Sequence, residues 1–516
     1  NKNFKEYTNL PPGKYVLHVK AKKQFANKAY KITIPFTITA PYYLTIGAYI
    51  YYIALLTSLI FLIIYWRAYL SEKEKFKVQQ LLTQRTEELI FQKERAEELL
   101  SKILPEDTAK QIQTKGKADR KSFKMVTVLF ADIKGFTKIT ENTAPEILLD
   151  ELDTLFLKFD NLVGEMGIEK IKTIGDAYMC AGGIPQKNKT NPIDVILTAM
   201  KMLEYMKEIN EISKTKWQIR IGIHTGPVIA GVIGTRKINY DIWGDTVNVA
   251  SRMESMGEAD EINISESTYE LVQKYFECVP RGMIPVKYKG NINMYFVKGL
   301  KKKYASDSKG KIPNETFYFQ LQHIRFADLE ELILTKIEKG LPHNMYYHNL
   351  KHTIDVINQA ELIARGENCT DEEILILKTA ALFHDSGFII SYDDHEEQGI
   401  KLAKEILPQF KYTQKQIQLI CEIIYATKFP PNPTTKLQKI ICDADLDYLG
   451  REDFVPVSNE LFKELYEHGR VKSLKEWNNI QIKFLQNHQY HTQTAQSLRR
   501  VNKLKQLERL KASIKN

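Results

Sequence analysis

Cysteine is scarce in this chain of 516 residues: Cys180, Cys278, Cys369, Cys421 and Cys442 are all there are. No pair has the spacing of a zinc knuckle or a redox dithiol, so reduced, mostly buried thiols are expected. Internal repeats and low-complexity tracts are also absent, which excludes a solenoid or tandem array. Charged residues make up 26% of the chain beside 43% hydrophobic, which excludes wholesale disorder. One core does not organise such a length, and roughly two to four domains are expected. Asn1 in place of Met leads us to expect a fragment or processed product. The net charge of +10 suits an anionic membrane face or a phosphate ligand, and equally a solvated surface, so it carries little weight.

One segment lacks charge altogether. From Tyr42 to Trp66 every residue is uncharged, and the run is rich in Ile, Leu and Tyr. It is long enough to span a bilayer, with Tyr42, Tyr43, Tyr65 and Trp66 at headgroup level. It is too long and too internal for a signal peptide. Arg67, Lys73, Lys75 and Lys77 favour a cytoplasmic C-terminal side. Residues 1–41 alternate polar and apolar and read as antiparallel strands, too few for a stable sheet alone. Residues 67–105 read as a helical stalk that Pro105 ends. Heptad spacing places Leu82, Leu89, Ala96 and Ile103 at d, and Val78, Arg85, Gln92 and Leu99 at a. Two polar a positions make a weak coiled coil or a plain solvated stalk. Residues 121–301 carry βαβ-type alternation, 302–315 read as a polar linker, and 316–516 are dominated by helical periodicity.

The central block carries the chemistry. FADIKGF (Phe130–Phe136) reads as the end of a buried strand, and KTIGDAYM (Lys172–Met179) as a hairpin with a Gly175–Asp176 turn. Asp132 or Asp176 alone would most often be a turn or cap residue. Brought together by a sheet, they can clamp two hard divalent cations, Mg²⁺ or Mn²⁺, on a triphosphate. In GDTVNVASRM, Asp245 or Thr246 can cap a helix carrying Asn248 and Arg252, four apart on one face. An amide that orients a ribose and a guanidinium that meets charge developing on phosphate is a sensible pairing.

FADIKGF, KIKTIGDAYM, HTGPVIAGVIG and YDIWGDTVNVASRM together resemble the class III adenylate/guanylate cyclase catalytic domain. The resemblance implies a ferredoxin-like α/β fold, working as a homodimer with the active site at the interface. It implies that Asp132 and Asp176 bind the metals, that Asn248 and Arg252 act from the opposite subunit, and that Lys289 and Arg236 contact the triphosphate. It also aligns Lys172 and Asp241 with the base-reading positions, where guanylate cyclases typically place Glu and Cys. Lysine is donor-only and ionised aspartate acceptor-only, which fits adenine's acceptor N1 and exocyclic amine. ATP is therefore the expected substrate.

In the C-terminal block, MYYHNLKHTIDV puts His348 and His352 four apart, on one face if helical; His384 and Asp385, His395, and ICDADLDYLG follow. Such clusters on helices suit a first-row metal. The block resembles the HD superfamily of metal-dependent phosphohydrolases, expected to be all-α. The resemblance implies that His352, His384, Asp385 and Asp445 (preferred over Asp443) ligate a divalent Mn, Fe, Zn or Mg ion. The YHNxxHxxDV run is also similar to cyclic nucleotide phosphodiesterases, where the residue matching His348 protonates the leaving oxygen. Those enzymes carry a histidine where this chain has Phe388, and His395 is a candidate substitute. The segment YTNLPPGKYVLHVKA, ending in APYYLT before the uncharged run, resembles the tail of the Tyr-rich β-sandwich module of bacterial sensors, over residues 1–41.

The expectation is a single-pass inner-membrane receptor with cytoplasmic catalytic domains, where ATP is found. It makes cAMP, answers an unknown extracytoplasmic ligand, and has no nucleic-acid partner. Its HD domain hydrolyses cAMP or another nucleotide. The alternatives are a guanylate cyclase, or a nucleotide-sensing transducer whose HD domain is regulatory.

Overall fold

The computed structural model describes residues 4–25, 27–101, 103–142, 144–212, 216–234, 238–286 and 290–515, so Arg236 and Lys289 lie outside the described residues. The chain divides into a unit ending at Lys102 and a unit from Ile103 to Asn516.

In the first unit, alternation yields two antiparallel strands, β1 (Gly13–Lys22) and β2 (Ala29–Ile38), in register from Gly13 opposite Ile38 to Lys22 opposite Ala29. A single helix, α1 (Ile46–Ser101), covers the uncharged run from Ile46 onward and continues through the stalk to Ser101, while Tyr42–Leu44 form a short 3-10 turn before it. Among the described residues it is the one helix long and apolar enough to cross a membrane, with a mean hydropathy of 2.1 in its most apolar window. Val78, Leu82, Leu89 and Leu99 are all exposed along the stalk. Pro105 does not terminate α1. The helix ends at Ser101, and Pro105 is the N-cap of α2 (Glu106–Lys115), where its fixed φ of −54° fits and its missing N–H is harmless.

The second unit begins with an α/β domain built on one eight-stranded sheet. Its elements run β3 (Lys121–Ile133), α3 (Phe136–Asn142), α4 (Pro145–Met166), β4 (Glu169–Ile174), β5 (Ala177–Gly182), α5 (Asn191–Ile212) and β6 (Ile219–Ile233). There follow β7 (Asn239–Trp243), α6 (Asp245–Ser255), β8 (Ile262–Ser265), α7 (Glu266–Val272), β9 (Phe276–Val286) and β10 (Gly290–Leu300). The order is β4-β5-β3-β6-β8-β10-β9, with β7 on β6. Its first four strands, with α4 and α5 as crossovers, are the ferredoxin-like arrangement. The two-residue period of β6 decides which side each helix covers. Ile219, Ile221 and Ile223 join the core beneath α4 and α5. Arg220 and Gly222 point the other way, toward Glu254 of α6. A Cβ on Gly222 would lie 1.8 Å from the Glu254 nitrogen, so only glycine lets α6 rest on the strand.

The stretch 302–315 folds back on the sheet: Leu300 N–H donates to the Gly310 carbonyl at 2.7 Å, and Asp307 accepts from the Lys311 and Ile312 N–H groups at 2.8 Å each.

The rest is helical. α8 (Glu315–Gly340), α9 (Leu350–Gly366), α10 (Asp371–Phe383), α11 (His395–Ile406) and α12 (Gln414–Tyr425) come first. Then follow α13 (Lys436–Asp445), α14 (Phe454–Glu467), α15 (Leu474–Asn487) and α16 (Gln493–Lys515). Thr370, Thr413 and Thr435 form capping boxes at the starts of α10, α12 and α13. Cys180, Cys421 and Cys442 are buried and all five thiols are free.

Candidate active sites

Asp132 lies on β3 opposite Ala177 of β5 and Arg220 of β6. Asp176, one residue before Ala177 in the hairpin turn, is thereby brought beside it. Sequence reasoning missed two residues that complete this cluster. Arg220 Nη2 lies 2.6 Å from Asp132 Oδ2 and 2.9 Å from Glu254 Oε1. Burial raises the Asp176 carboxyl, and the charge of Asp132 adds to the rise. Glu254 is pushed up to about 7 by burial, with Asp132 and Asp176 adding to it against the pull of Arg220. Periodicity marks the face each residue occupies, but nothing in the sequence shows that the two faces meet. Arg220 stands on the α6-facing side of a strand, and Glu254 falls four after Ala250 on the buried face of α6.

Lys172 of β4 donates to Asp241 of β7 at 2.5 Å, and Asp241 also accepts its neighbour Ile242 N–H at 2.9 Å. Asn248 and Arg252 share the exposed face of α6, while Thr246, Val249, Ala250 and Met253 are buried. Neither Asp245 nor Thr246 caps this helix. Gly244 is the N-cap, and the Thr246 hydroxyl is spent on the Pro227 carbonyl at 2.6 Å.

In the helical domain, His348 is not on a helix. Asn349 caps α9, accepting from Lys351 N–H at 2.9 Å and His352 N–H at 3.3 Å, so the helix starts after His348. The two rings still meet, with centroids 5.8 Å apart. His352 Nε2 lies 3.1 Å from Asp445 Oδ1, 3.3 Å from Asp385 Oδ2 and 3.4 Å from His384 Nε2. His384 Nε2 lies 3.2 Å from Asp385 Oδ2. His384 Nδ1 sits 2.7 Å from the Ala381 carbonyl, so Nδ1 donates there and Nε2 is the nitrogen that faces the cluster. Asp443 turns away, accepting from His491 N–H and Thr492 N–H at 2.8 Å each. Phe388 lies between the rings of His348 (4.5 Å) and His395 (3.8 Å). His395 Nε2 comes within 3.8 Å of Asp385 Oδ1.

No motif revealed Glu464, which is fully buried on α14. It accepts from His348 Nδ1 at 2.5 Å, from Tyr347 N–H at 2.8 Å and from His348 N–H at 3.1 Å. Burial pushes its carboxyl up, but these donors outweigh it and hold it below the usual range.

Comparison with known proteins decides what the sheet cluster belongs to. The family model described as "Adenylate and Guanylate cyclase catalytic domain" matches residues 118–299. Residues 118–299 are a class III nucleotidyl cyclase domain. An HD domain follows at residues 349–447, and a Y_Y_Y domain occupies residues 1–39. The cyclase domain is similar to that of a membrane guanylyl cyclase of Dictyostelium discoideum, 41% identical over 204 residues, which are 39% of this chain and 14% of the relative. It is similar also to an adenylate cyclase of Mycobacterium bovis, 38% identical over 211 residues, 40% of this chain and 47% of the relative. The chain thus spans less than half the length of either. Among solved structures, the guanylate cyclase domain of RhGC from Catenaria anguillulae in complex with GTP is 37% identical over 35% of this chain and 100% of that one, with a TM-score of 0.34.

Cyclase domains bind a nucleotide, act as dimers and use divalent metals, and HD domains bind divalent metals. Both donor sets here fit such ions. In the cyclase domain three carboxylates gather around one guanidinium, and burial and the charge of Asp132 raise the carboxyls of Asp176 and Glu254, a field that attracts a hard cation. In the HD domain burial disfavours a charged His352, yet Asp385 and Asp445 overcome it and hold the ring at about 9. Two imidazoles and two carboxylates suit a first-row divalent ion.

Proposed function

We propose that this chain is a membrane-anchored, homodimeric adenylate cyclase that converts ATP to cAMP and pyrophosphate, with an HD domain that hydrolyses cAMP. One observation carries the choice of ATP: a donor-only lysine and an acceptor-only aspartate, Lys172 and Asp241, stand together at 2.5 Å. Adenine satisfies that pair by accepting at N1 and donating from its amine, whereas guanine presents the reverse edge.

Asp132 and Asp176 would hold two Mg²⁺ or Mn²⁺ ions, which supply Lewis acidity to the 3′-hydroxyl and the phosphates. Asn248 orients the ribose from the partner protomer, and Arg252 meets charge developing on the α-phosphate. Lys289 and Arg236 keep the triphosphate contacts the resemblance implies, and Arg220 adds a guanidinium beside the carboxylates. In the HD domain, His352, His384, Asp385 and Asp445 would hold a divalent metal that supplies Lewis acidity at phosphorus. His348, held by Glu464, protonates the leaving 3′-oxygen. The chain crosses the inner membrane once and keeps both catalytic domains in the cytoplasm. Its stalk aligns the protomers, and the N-terminal module passes on an extracytoplasmic signal.

Guanylate cyclisation is the second reading, favoured by the guanylyl cyclases among the relatives. A regulatory, non-hydrolysing HD domain is favoured by Phe388. The test uses the whole chain in lipid nanodiscs with Mn²⁺ and ATP, following products over time. Asp132→Ala abolishes cAMP formation, and Asp445→Ala makes cAMP accumulate and persist. Cyclisation surviving Asp132→Ala ends the metal assignment, and equal persistence of cAMP with and without Asp445 ends the hydrolase assignment.

A further inference from the structure

The cyclase and HD domains are built on one helix. Phe317 and Leu321 of α8, both buried, pack into the cyclase core with Tyr275, Phe276 and Tyr304. Phe326, Leu329, Ile333 and Ile337 of the same helix pack into the HD core. The start of α8 is fastened to the end of the cyclase sheet: Asn314 accepts from Phe317 N–H at 3.0 Å and donates to the Lys303 carbonyl at 3.0 Å. Its far end rests on the HD site. A Cβ on Gly340 would lie 2.8 Å from Ile389, which closes the short turn starting directly after His384 and Asp385.

Beside α8 the two domains part around a cleft of ≈ 1300 Å³, lined by residues of α5, α8, α10 and α12. Polar links also hold α8 to the cyclase domain, among them two toward α5. Arg325 Nη2 lies 2.9 Å from Asp194 Oδ1 of α5, with 13% and 3% of the side chains exposed. Asp328 accepts from Lys189 N–H at 2.8 Å. From Asp194 the network continues inward. Asp194 accepts from the Thr190 hydroxyl at 2.6 Å, and the adjacent Asn191 accepts from the Thr127 hydroxyl of β3 at 2.6 Å. β3 is the strand that carries Asp132. A buried ion pair adds little net stability compared with apolar packing, but it does specify one arrangement. Packed interfaces switch between discrete arrangements rather than deform continuously.

We infer that α8 is a strut shared by both domains, with Arg325–Asp194 as its latch, and that occupancy of the HD site sets the conformation of the cyclase domain through it. The HD domain is then an effector domain of the cyclase. This requires cation binding at the HD cluster but not hydrolysis, so it stands apart from the cAMP-hydrolase reading.

Hydrogen exchange on the whole chain in lipid nanodiscs tests it, with Mn²⁺ alone as the probe. Asp132→Asn and Asp176→Asn in the background leave the HD cluster as the metal site. Mn²⁺ should slow exchange severalfold in α9 and α10, and also in α5 (Asn191–Ile212) across the cleft. Arg325→Met should remove the α5 response and spare that of α9 and α10, while Arg325→Lys should keep both. The inference is overturned if α9 and α10 respond without α5, if the α5 response survives Arg325→Met, or if Mn²⁺ changes exchange nowhere.

Discussion

Glu464, with none of its side chain exposed, holds His348 Nδ1 at 2.5 Å. A carboxylate that accepts from Nδ1 fixes the orientation of the ring and leaves Nε2 as the nitrogen that faces the site. Glu464→Gln retains an acceptor but loses the charge. Losing a carboxylate that orients a functional imidazole costs roughly 10- to 100-fold, here in kcat for cAMP hydrolysis with KM little changed. Steady-state kinetics with cAMP checks this, and an unchanged kcat would remove Glu464 from the mechanism.

Gly222 is where α6 touches the sheet, with Glu254 backbone at 1.8 Å from any Cβ placed there. Gly222→Ala must lift the helix that presents Asn248 and Arg252. Misplacement of reacting groups by about 1 Å costs on the order of 10²-fold in rate. Cyclase turnover should fall by that factor while circular dichroism stays unchanged.

Phe317 is fully buried at the α8 end of the cyclase core, its ring 5.9 Å from Tyr275 and 6.0 Å from Tyr304. Phe317→Ala should destabilise the cyclase domain by about 3–5 kcal/mol, as for other large-to-small core changes. Denaturant unfolding followed by domain-resolved hydrogen exchange measures it.

His488 gives the HD domain a predictable pH dependence. Burial, then the charges of Lys503 and His491, hold it down at about 4 against an ordinary 6.5. Between those values the unfolded chain binds the proton and the folded chain does not, so stability falls as pH drops. His488→Gln should flatten the decline between about pH 6.5 and 4 in denaturant titrations, and an unchanged slope would contradict the assignment.

What the sequence made legible was local. Strand ends and turns placed Asp132 and Asp176, and antiparallel pairing followed from alternation. Residues joined across long separations were not legible. Arg220 and Glu254 complete the carboxylate cluster only because β6 and α6 stack at a glycine. Glu464 reaches His348 from α14, more than a hundred residues away, with no spacing to announce it. The start of α6 was misread because Thr246 found another partner, the Pro227 carbonyl, and the condition that His348 be helical fails because Asn349 takes the cap of α9. The polar run before α8 read as a linker because its order comes from Asp307 and Gly310 closing on the sheet, which composition does not reveal.

The adenylate assignment rests on Lys172 and Asp241, and the most direct test is kcat/KM for ATP against GTP on the whole chain with Mn²⁺. The account predicts preference for ATP by at least about tenfold, more than 1.4 kcal/mol of differential transition-state binding, and a reversal in Lys172→Glu/Asp241→Cys. GTP turned over as well as ATP by the unsubstituted chain would contradict it.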